Sequence, residues 1–380
     1  MRKAFISPSK YVQGENELLN LGYFVKSFGK KALLIGNQFD IERVTQQLNQ
    51  TAAKYDCSFV TAGFHGECSR IEVERLKNLA KKEQCDCIIG LGGGKAIDTA
   101  KCVAAGNAII IVPTIAATDA PTSHSAVLYT EDGAFDDYAY FKQSPNVVLI
   151  DTKIIAEAPV RFLVAGMGDA LSTYFEARAN QQSYSNVNAG LPCGARENLC
   201  AGAKPTLAAY SLATLCYQTL LKDGQKAKVS CINKAVTPAL ENVIEANILL
   251  SGLGFESGGL AGAHAIHDGL TILDETHNYY HGEKVAFGTL VQLILENAPD
   301  DELKEVLDFC LSVNLPVCLE DIGVKTITDK QITQVAEKTM IPEESIHAMP
   351  FPITLESIKA AILLADSLGK NYKETRNFTR

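Results

Sequence analysis

The spacing of hydrophobic positions along this chain changes character once, near residue 151, and that change divides it. In the first 150 residues, short apolar runs alternate with helical patterns. Residues 32–36, 58–62, 87–91, 108–112 and 147–150 read as strands, several of them apolar enough for burial on both faces. Between them lie an amphipathic stretch over 41–53, a helix over 69–82 with Ile71, Val73, Leu76 and Leu79 at helical spacing, and a helix opening near Lys95. Two more polar strands are expected over 126–130 and 139–141. Strands alternating with helices predict a parallel sheet covered on both faces. From residue 160 onward the period is helical almost throughout, as over 243–253, 284–295 and 355–368. Two domains follow: an α/β domain over 1–158 and an all-helical domain over 159–380. The polar, glycine-containing segment 181–205 reads as a loop excursion.

Composition narrows the function classes. With 380 residues and 47% hydrophobic content, both domains can bury a core. The net charge of −9, with no run of Lys or Arg, argues against a nucleic-acid partner. The most apolar stretch, residues 102–117, is broken by Asn107 and Pro113 and is too short to span a bilayer. The first ten residues lack the apolar core of a signal peptide. Eleven irregularly spaced cysteines suit a reducing compartment, so a cytoplasmic location is expected. Cys85 and Cys87 read as small buried hydrophobes.

Candidate chemistry begins at Gly90-Leu-Gly-Gly-Gly-Lys-Ala-Ile-Asp98, where a strand turns into a helix. Adjacent glycines remove every Cβ, and the helix beyond presents its free N–H groups to an anion such as a pyrophosphate. Lys95 can add a positive charge. A glycine triplet alone could equally be a tight turn; the strand before and helix after favour the phosphate reading. At the end of the first long strand, a carboxylate would bind ribose hydroxyls and repel a 2′-phosphate. Asn37 stands there instead, and also suits a turn. Taken singly, Asp169 reads as a cap at the start of a helix, the i, i+3 pair His264 and His267 as packed imidazoles, and His281 as a cap before Gly282.

Five blocks go beyond such generic patterns: Gly92-Gly-Gly-Lys-Ala-Ile-Asp-Thr-Ala-Lys101, Pro113-Thr-Ile-Ala-Ala-Thr-Asp-Ala-Pro121, Gly166-Met-Gly-Asp-Ala-Leu-Ser-Thr173, Gly258-Gly-Leu-Ala-Gly-Ala-His-Ala-Ile-His-Asp-Gly269 and His281-Gly-Glu-Lys-Val-Ala-Phe-Gly288. In order and over nearly the whole chain, they resemble the signature blocks of bacterial glycerol dehydrogenases, within the group III (iron-type) metal-dependent alcohol dehydrogenases. The resemblance implies a Rossmann-like NAD-binding domain followed by an all-α domain, as in dehydroquinate synthase-like proteins, with the active site in the cleft between them. It implies Asp169, His264 and His281 as metal ligands and Asp119 as a residue beside the substrate. It places cofactor contacts on Asn37, Gly93, Gly94, Lys95, Asp98, Thr114, Ala117, Thr118, Ser123, Ser125 and Tyr129. It further implies a homo-oligomer, with an octamer as the candidate size. Two features depart from the pattern: relatives usually carry Asp at the position of Asn37, and segment 181–205 is longer than its counterpart.

Two imidazoles and one carboxylate leave a divalent ion with net positive charge and an open position, as catalytic sites require. Such an ion eases removal of an alcohol's proton, after which hydride can pass to the nicotinamide. Imidazole ligands and the Irving–Williams order lean towards zinc over iron. The expected reaction is oxidation of glycerol to dihydroxyacetone with NAD, extending to other vicinal diols. Alternatives are another polyol or alcohol dehydrogenase of the superfamily, or a non-catalytic binding or assembly protein derived from it; retention of all three ligands disfavours the latter. A phosphorylated substrate, as in dehydroquinate synthases or glycerol-1-phosphate dehydrogenases, would need more basic residues than the lone Lys284 of the last two blocks. His267 and His277 are candidates for supporting or proton-relay roles.

Overall fold

The computed structural model describes residues 2–190 and 203–377. The chain divides into two compact units, one made of Ile6–Phe162 with Val229–Gly252, the other of the residues up to Phe5, Leu163–Lys228 and the residues from Leu253 onward. The main division falls at 162/163. It corrects the single helical domain in one respect: Val229–Gly252 is helical, yet packs within the sheet-bearing unit.

That unit contains strands β1 (Lys10–Gly14), β2 (Lys31–Gly36), β3 (Ser58–Gly63), β4 (Cys87–Gly92), β5 (Ile109–Pro113), β6 (Ser125–Tyr129), β7 (Phe135–Tyr140) and β8 (Val147–Asp151). Six of them pair in the order β1-β8-β5-β4-β2-β3, all parallel; β6 and β7 form a separate antiparallel hairpin. Central β4 and β5 are buried along their whole length, which is why they read as unbroken apolar runs. The sequence pattern misses β1: its five residues, Lys-Tyr-Val-Gln-Gly, neither alternate nor form an apolar run, and they acquire strand geometry at the sheet edge by pairing with β8. Helices α1 (Leu21–Lys26), α2 (Gln38–Tyr55), α3 (Arg70–Lys82), α4 (Gly94–Ala104) and α5 (Thr152–Ala156) connect the strands. Ser69 caps α3 by accepting the Glu72 N–H. Leu34, Ile89, Val112 and Leu149 from the sheet pack with Val25, Val44 and Leu48 in the core. From β2 the chain steps outward to β3 and then returns to the other side of β2 for β4. The carboxyl ends of β2 and β4 therefore flank a topological switch point, where such sheets bind ligands.

The rest is helical among the described residues, apart from an isolated bridge between Lys3 and Lys204. Its helices are α6 (Val160–Ser183), α7 (Leu207–Ile232), α8 (Pro238–Glu245), α9 (Ser251–Gly258), α10 (Gly262–Leu270), α11 (His281–Leu295), α12 (Asp300–Val313), α13 (Asp329–Thr339) and α14 (Leu355–Asn377). A π-helical turn, Ala246–Leu250, joins α8 to α9. Of the excursion over 181–205, residues 181–183 still belong to α6, and 191–202 lie outside the described residues. Among the described residues, no helix is long and apolar enough to cross a membrane.

Candidate metal centre and nucleotide loop

Three helices of the second unit bring Asp169, His264 and His281 together. Asp169 does not start a helix as its sequence context suggested: it lies in the third turn of α6. The preceding glycines serve a close helix crossing instead. A Cβ on Gly168 would strike the Gly282 carbonyl, and one on Gly282 would strike the Ala165 carbonyl, so α6 and the start of α11 touch backbone to backbone. A Cβ on Gly288 would likewise collide with the Ala263 carbonyl, which seats α10 against α11. These contacts explain the small residues Gly168, Ala263 and Gly282 beside Asp169, His264 and His281.

One ligand atom from each of Asp169, His264 and His281 lies within 4.8 Å of the others. Nε2 of His264 is 3.4 Å and Nε2 of His281 3.3 Å from Asp169 Oδ1. Asp169 is 1% exposed, yet neither carboxylate oxygen has a hydrogen-bond partner. A buried carboxylate without hydrogen bonds is costly, and a cation between these three groups would offset that cost. Burial pushes the Asp169 carboxyl up, but the charges of His281 and His264 outweigh it and hold it well below the usual carboxylate range. The imidazole of His281 remains 42% exposed, which leaves one side of the trio open to solvent. The residues present fit a divalent metal with a vacant coordination position.

Both imidazoles are held from behind. Nδ1 of His264 lies 2.7 Å from Oε2 of Glu176, a fully buried residue of α6. Nδ1 of His281 lies 3.1 Å from Nε2 of His267, whose Nδ1 is 2.8 Å from Asp268 Oδ1. Burial works against a charged His264, but Glu176 and Asp169 hold its pKa well above the ordinary imidazole value. Burial, then the neighbouring His281, pushes His267 down to about 4, so it is neutral at physiological pH. Burial pushes Lys284 down as well. His277 does not join this group; its Nε2 bonds the Thr271 carbonyl. Glu176 carries no motif signal. Only its spacing of seven residues from Asp169, two turns along one helical face, could have pointed to it.

In the first unit, Gly93 caps α4 without a side-chain hydrogen bond, leaving the amides of its first turn facing out of the helix. Gly92 adopts φ +142°, a conformation glycine tolerates, and the Thr114 N–H bonds its carbonyl. A Cβ on Gly94 would stand 3.5 Å from the Thr118 methyl. Gly93, Gly94, Thr114 and Thr118 therefore gather at the carboxyl ends of β4 and β5. Lys95 pairs with Glu67 at 2.6 Å, and its ammonium sits 4.9 Å from the Tyr129 ring centroid.

Other expected cofactor residues are already engaged. Asn37 caps α2: its Oδ1 accepts the Asp40 N–H at 2.8 Å and its Nδ2 donates to Asp40 Oδ2 at 2.6 Å. Asp40 is buried, with Oδ2 3.7 Å from where a Cβ on Gly92 would lie. Asp98 is buried; Oδ2 accepts the Val127 N–H and Oδ1 lies 3.3 Å from Lys101 Nζ. Burial raises the Asp98 pKa against the pull of Lys101. Lys101, itself buried, also reaches the carbonyls of Ala120 and Ser125 and Oγ of Ser123. Asp98, Ser123 and Ser125 thus anchor loop 114–125 through a lysine that sequence reading did not single out. Asp119 on that loop accepts a hydrogen bond from Ser251 Oγ at 2.7 Å, and Asn247 of the π turn donates to the Ala116 carbonyl.

Residues 8–152 match the family model described as iron-containing alcohol dehydrogenase. The chain is 47% identical to a glycerol dehydrogenase of Citrobacter freundii, over 98% of this chain and 99% of that one. It is 42% identical to a glycolaldehyde reductase of Halobacterium salinarum, over 98% and 100%. The crystal structure of glycerol dehydrogenase from Schizosaccharomyces pombe superposes with a TM-score of 0.91 at 38% identity, covering 100% of this chain and 94% of that one.

Proposed function

The chain belongs to the iron-containing alcohol dehydrogenase family, and from that premise we propose that it oxidises glycerol to dihydroxyacetone, using NAD and one divalent metal, with other vicinal diols as further substrates. The observation that carries the reading is the buried Asp169 carboxylate, unpartnered and faced by Nε2 of His264 and His281. Near-half identity to a glycerol dehydrogenase over essentially the full length of both chains supports the polyol.

Asp169, His264 and His281 would hold the metal, which supplies Lewis acidity that lowers the pKa of an alcohol hydroxyl. Two imidazoles favour zinc. NAD supplies the hydride acceptor. The first-turn amides of α4 at Gly93 and Gly94 would bind its pyrophosphate, with Lys95 exchanging Glu67 for a phosphate oxygen. Thr114, Ala117, Thr118 and Tyr129 would line the remaining nucleotide path. Asn37, Asp98, Ser123 and Ser125 would shape that path through the bonds they make with Asp40, Val127 and Lys101. Asp119, oriented by Ser251, would accept a hydrogen bond from a polyol hydroxyl. We also infer a cytoplasmic setting, in keeping with nine free cysteines among the described residues, and a homo-oligomer, in keeping with the exposed Leu207, Leu215, Val229 and Ile232 of α7.

The test is a substrate panel on metal-reconstituted protein with NAD and NADP. Glycerol and 1,2-propanediol should exceed ethanol and propanol in kcat/KM, because a vicinal diol offers two oxygens for recognition. Better turnover of simple alcohols, or efficient reduction of glycolaldehyde without glycerol oxidation, would overturn the polyol assignment.

A further inference from the structure

Glu176 shares the face of α6 that carries Asp169, two turns further on, and is buried completely. Its Oε2 lies 2.7 Å from His264 Nδ1. Its Oε1 accepts the backbone N–H groups of Ala261 at 2.9 Å and of His264 at 3.0 Å, at the start of α10. Ser172 Oγ lies 3.3 Å from Oε2. Three N–H donors converge on one carboxylate, with the Ser172 hydroxyl shared between it and the Asp169 carbonyl at 2.8 Å, which accounts for its burial without a basic side chain. An ionised carboxylate can only accept, so the hydrogen between Glu176 and His264 belongs to Nδ1. In the neutral ring that a cation requires, the lone pair is then left on Nε2, the nitrogen that faces Asp169 Oδ1.

His281 differs. Behind it stands His267, a neutral imidazole, with the carboxylate of Asp268 one step further back. Of the two imidazoles, His264 alone is backed directly by negative charge.

Resting on the metal reading above, we propose that Glu176 is the positioning residue of the metal centre: it fixes the tautomer and aim of His264 and, through that ring, sets the affinity of the site for a divalent cation. The carboxylate performs two tasks at once, capping the first turn of α10 with one oxygen and orienting the side chain of that turn with the other. The helix cannot shift relative to α6 without also turning the imidazole.

The Glu176→Gln variant separates these tasks. A glutamine keeps the shape and one acceptor for the backbone N–H groups. Its amide then presents N–H to His264 Nδ1, which forces the ring's own hydrogen onto Nε2, where it obstructs a cation. Metal-free wild type and E176Q are titrated with zinc by chelator competition, and the visible spectra of the cobalt-substituted proteins are compared. Zinc affinity is expected to fall about 10- to 100-fold, with an altered cobalt spectrum. Glu176→Asp, which retains the charge, should recover part of the affinity. A purely structural role would lower the melting temperature of metal-free E176Q and leave zinc affinity and the cobalt spectrum unchanged, and that outcome overturns the proposal. If E176Q does not fold, the wild type decides: 15N spectra of the zinc-loaded protein should show His264 protonated at Nδ1 and ligating through Nε2, and ligation through Nδ1 overturns the proposal. Wild type that binds no stoichiometric metal would overturn the metal reading itself, which these measurements distinguish from failure of the role assigned to Glu176.

Discussion

Nε2 of His267 lies 3.1 Å from Nδ1 of His281, so a histidine outside the proposed metal-binding trio holds one that belongs to it. His267 is neutral and tied to Asp268, which fixes its own tautomer: Nδ1 donates to the carboxylate and Nε2 accepts from His281. Replacing His267 by Ala should leave the three ligands in place and loosen only the orientation of His281. The expected loss in metal affinity or kcat/KM is about 10- to 100-fold. A complete loss of bound metal would place His267 among the ligands.

The ligands themselves should behave differently. Asp169→Ala, His264→Ala and His281→Ala should each yield folded protein that retains no stoichiometric zinc and no polyol oxidation, because each removes one of the three proposed protein ligands. Circular dichroism checks the fold, elemental analysis the metal. Chelation of the wild type should abolish activity, and zinc should restore it. Full activity in any of the three variants would remove that residue from the site.

Backbone contact between α6 and α11 makes a stability prediction. Gly282→Ala puts a methyl group against the Ala165 carbonyl and 2.9 Å from the Asp169 nitrogen. Forced separation of the helices should cost about 1–3 kcal/mol or more. It should also weaken metal binding, since His281 precedes Gly282 directly. Denaturant melts of the metal-free protein and zinc titration measure the two effects separately. An unchanged midpoint would show that the crossing can relax.

Cofactor choice should depend on Asp40 more than on Asn37. Both functional atoms of the Asn37 amide bond Asp40, whereas the Asp40 carboxylate lies beside Gly92 at the switch point. Asp40→Ala should collapse the ratio of kcat/KM for NAD to that for NADP. Asn37→Asp should weaken NAD binding, because it replaces the donor 2.6 Å from Asp40 Oδ2 with a second carboxylate. Increased NAD preference in Asn37→Asp would return the ribose-reading role to position 37.

A pH effect on stability should come from Glu344. Burial, then the adjacent Asp268, pushes its carboxyl up to about 8. The folded state therefore binds a proton that the unfolded state releases above its ordinary carboxylate range. This contribution is fully present below that range and is lost as pH rises towards 8. The metal-free protein should lose stability between about pH 5 and pH 8, and Glu344→Gln should flatten the slope. Melting temperatures across that window measure it; parallel profiles for the two proteins would sink the argument.

Elements whose environment is uniform along their length were legible in the chain's own pattern. Fully buried strands such as β4 and β5 leave unbroken apolar runs, and amphipathic helices such as α3 leave a helical period. The motif blocks also contain Asp169, His264 and His281, the residue types a divalent cation needs. Only the tertiary structure decided what those residues face. The edge strand β1 has too few apolar residues to announce itself and exists through β8. Asp169 looked like a cap because glycines precede it, but those glycines admit α11 and leave Asp169 inside α6. Glu176 and Lys101 are ordinary helical residues until distant segments bring acceptors or donors to them, 88 residues away for His264 and 19 to 24 for the loop carbonyls. Local pattern records which face of an element is buried. The partner of a buried charge is chosen by the crossing of helices, which no local period encodes.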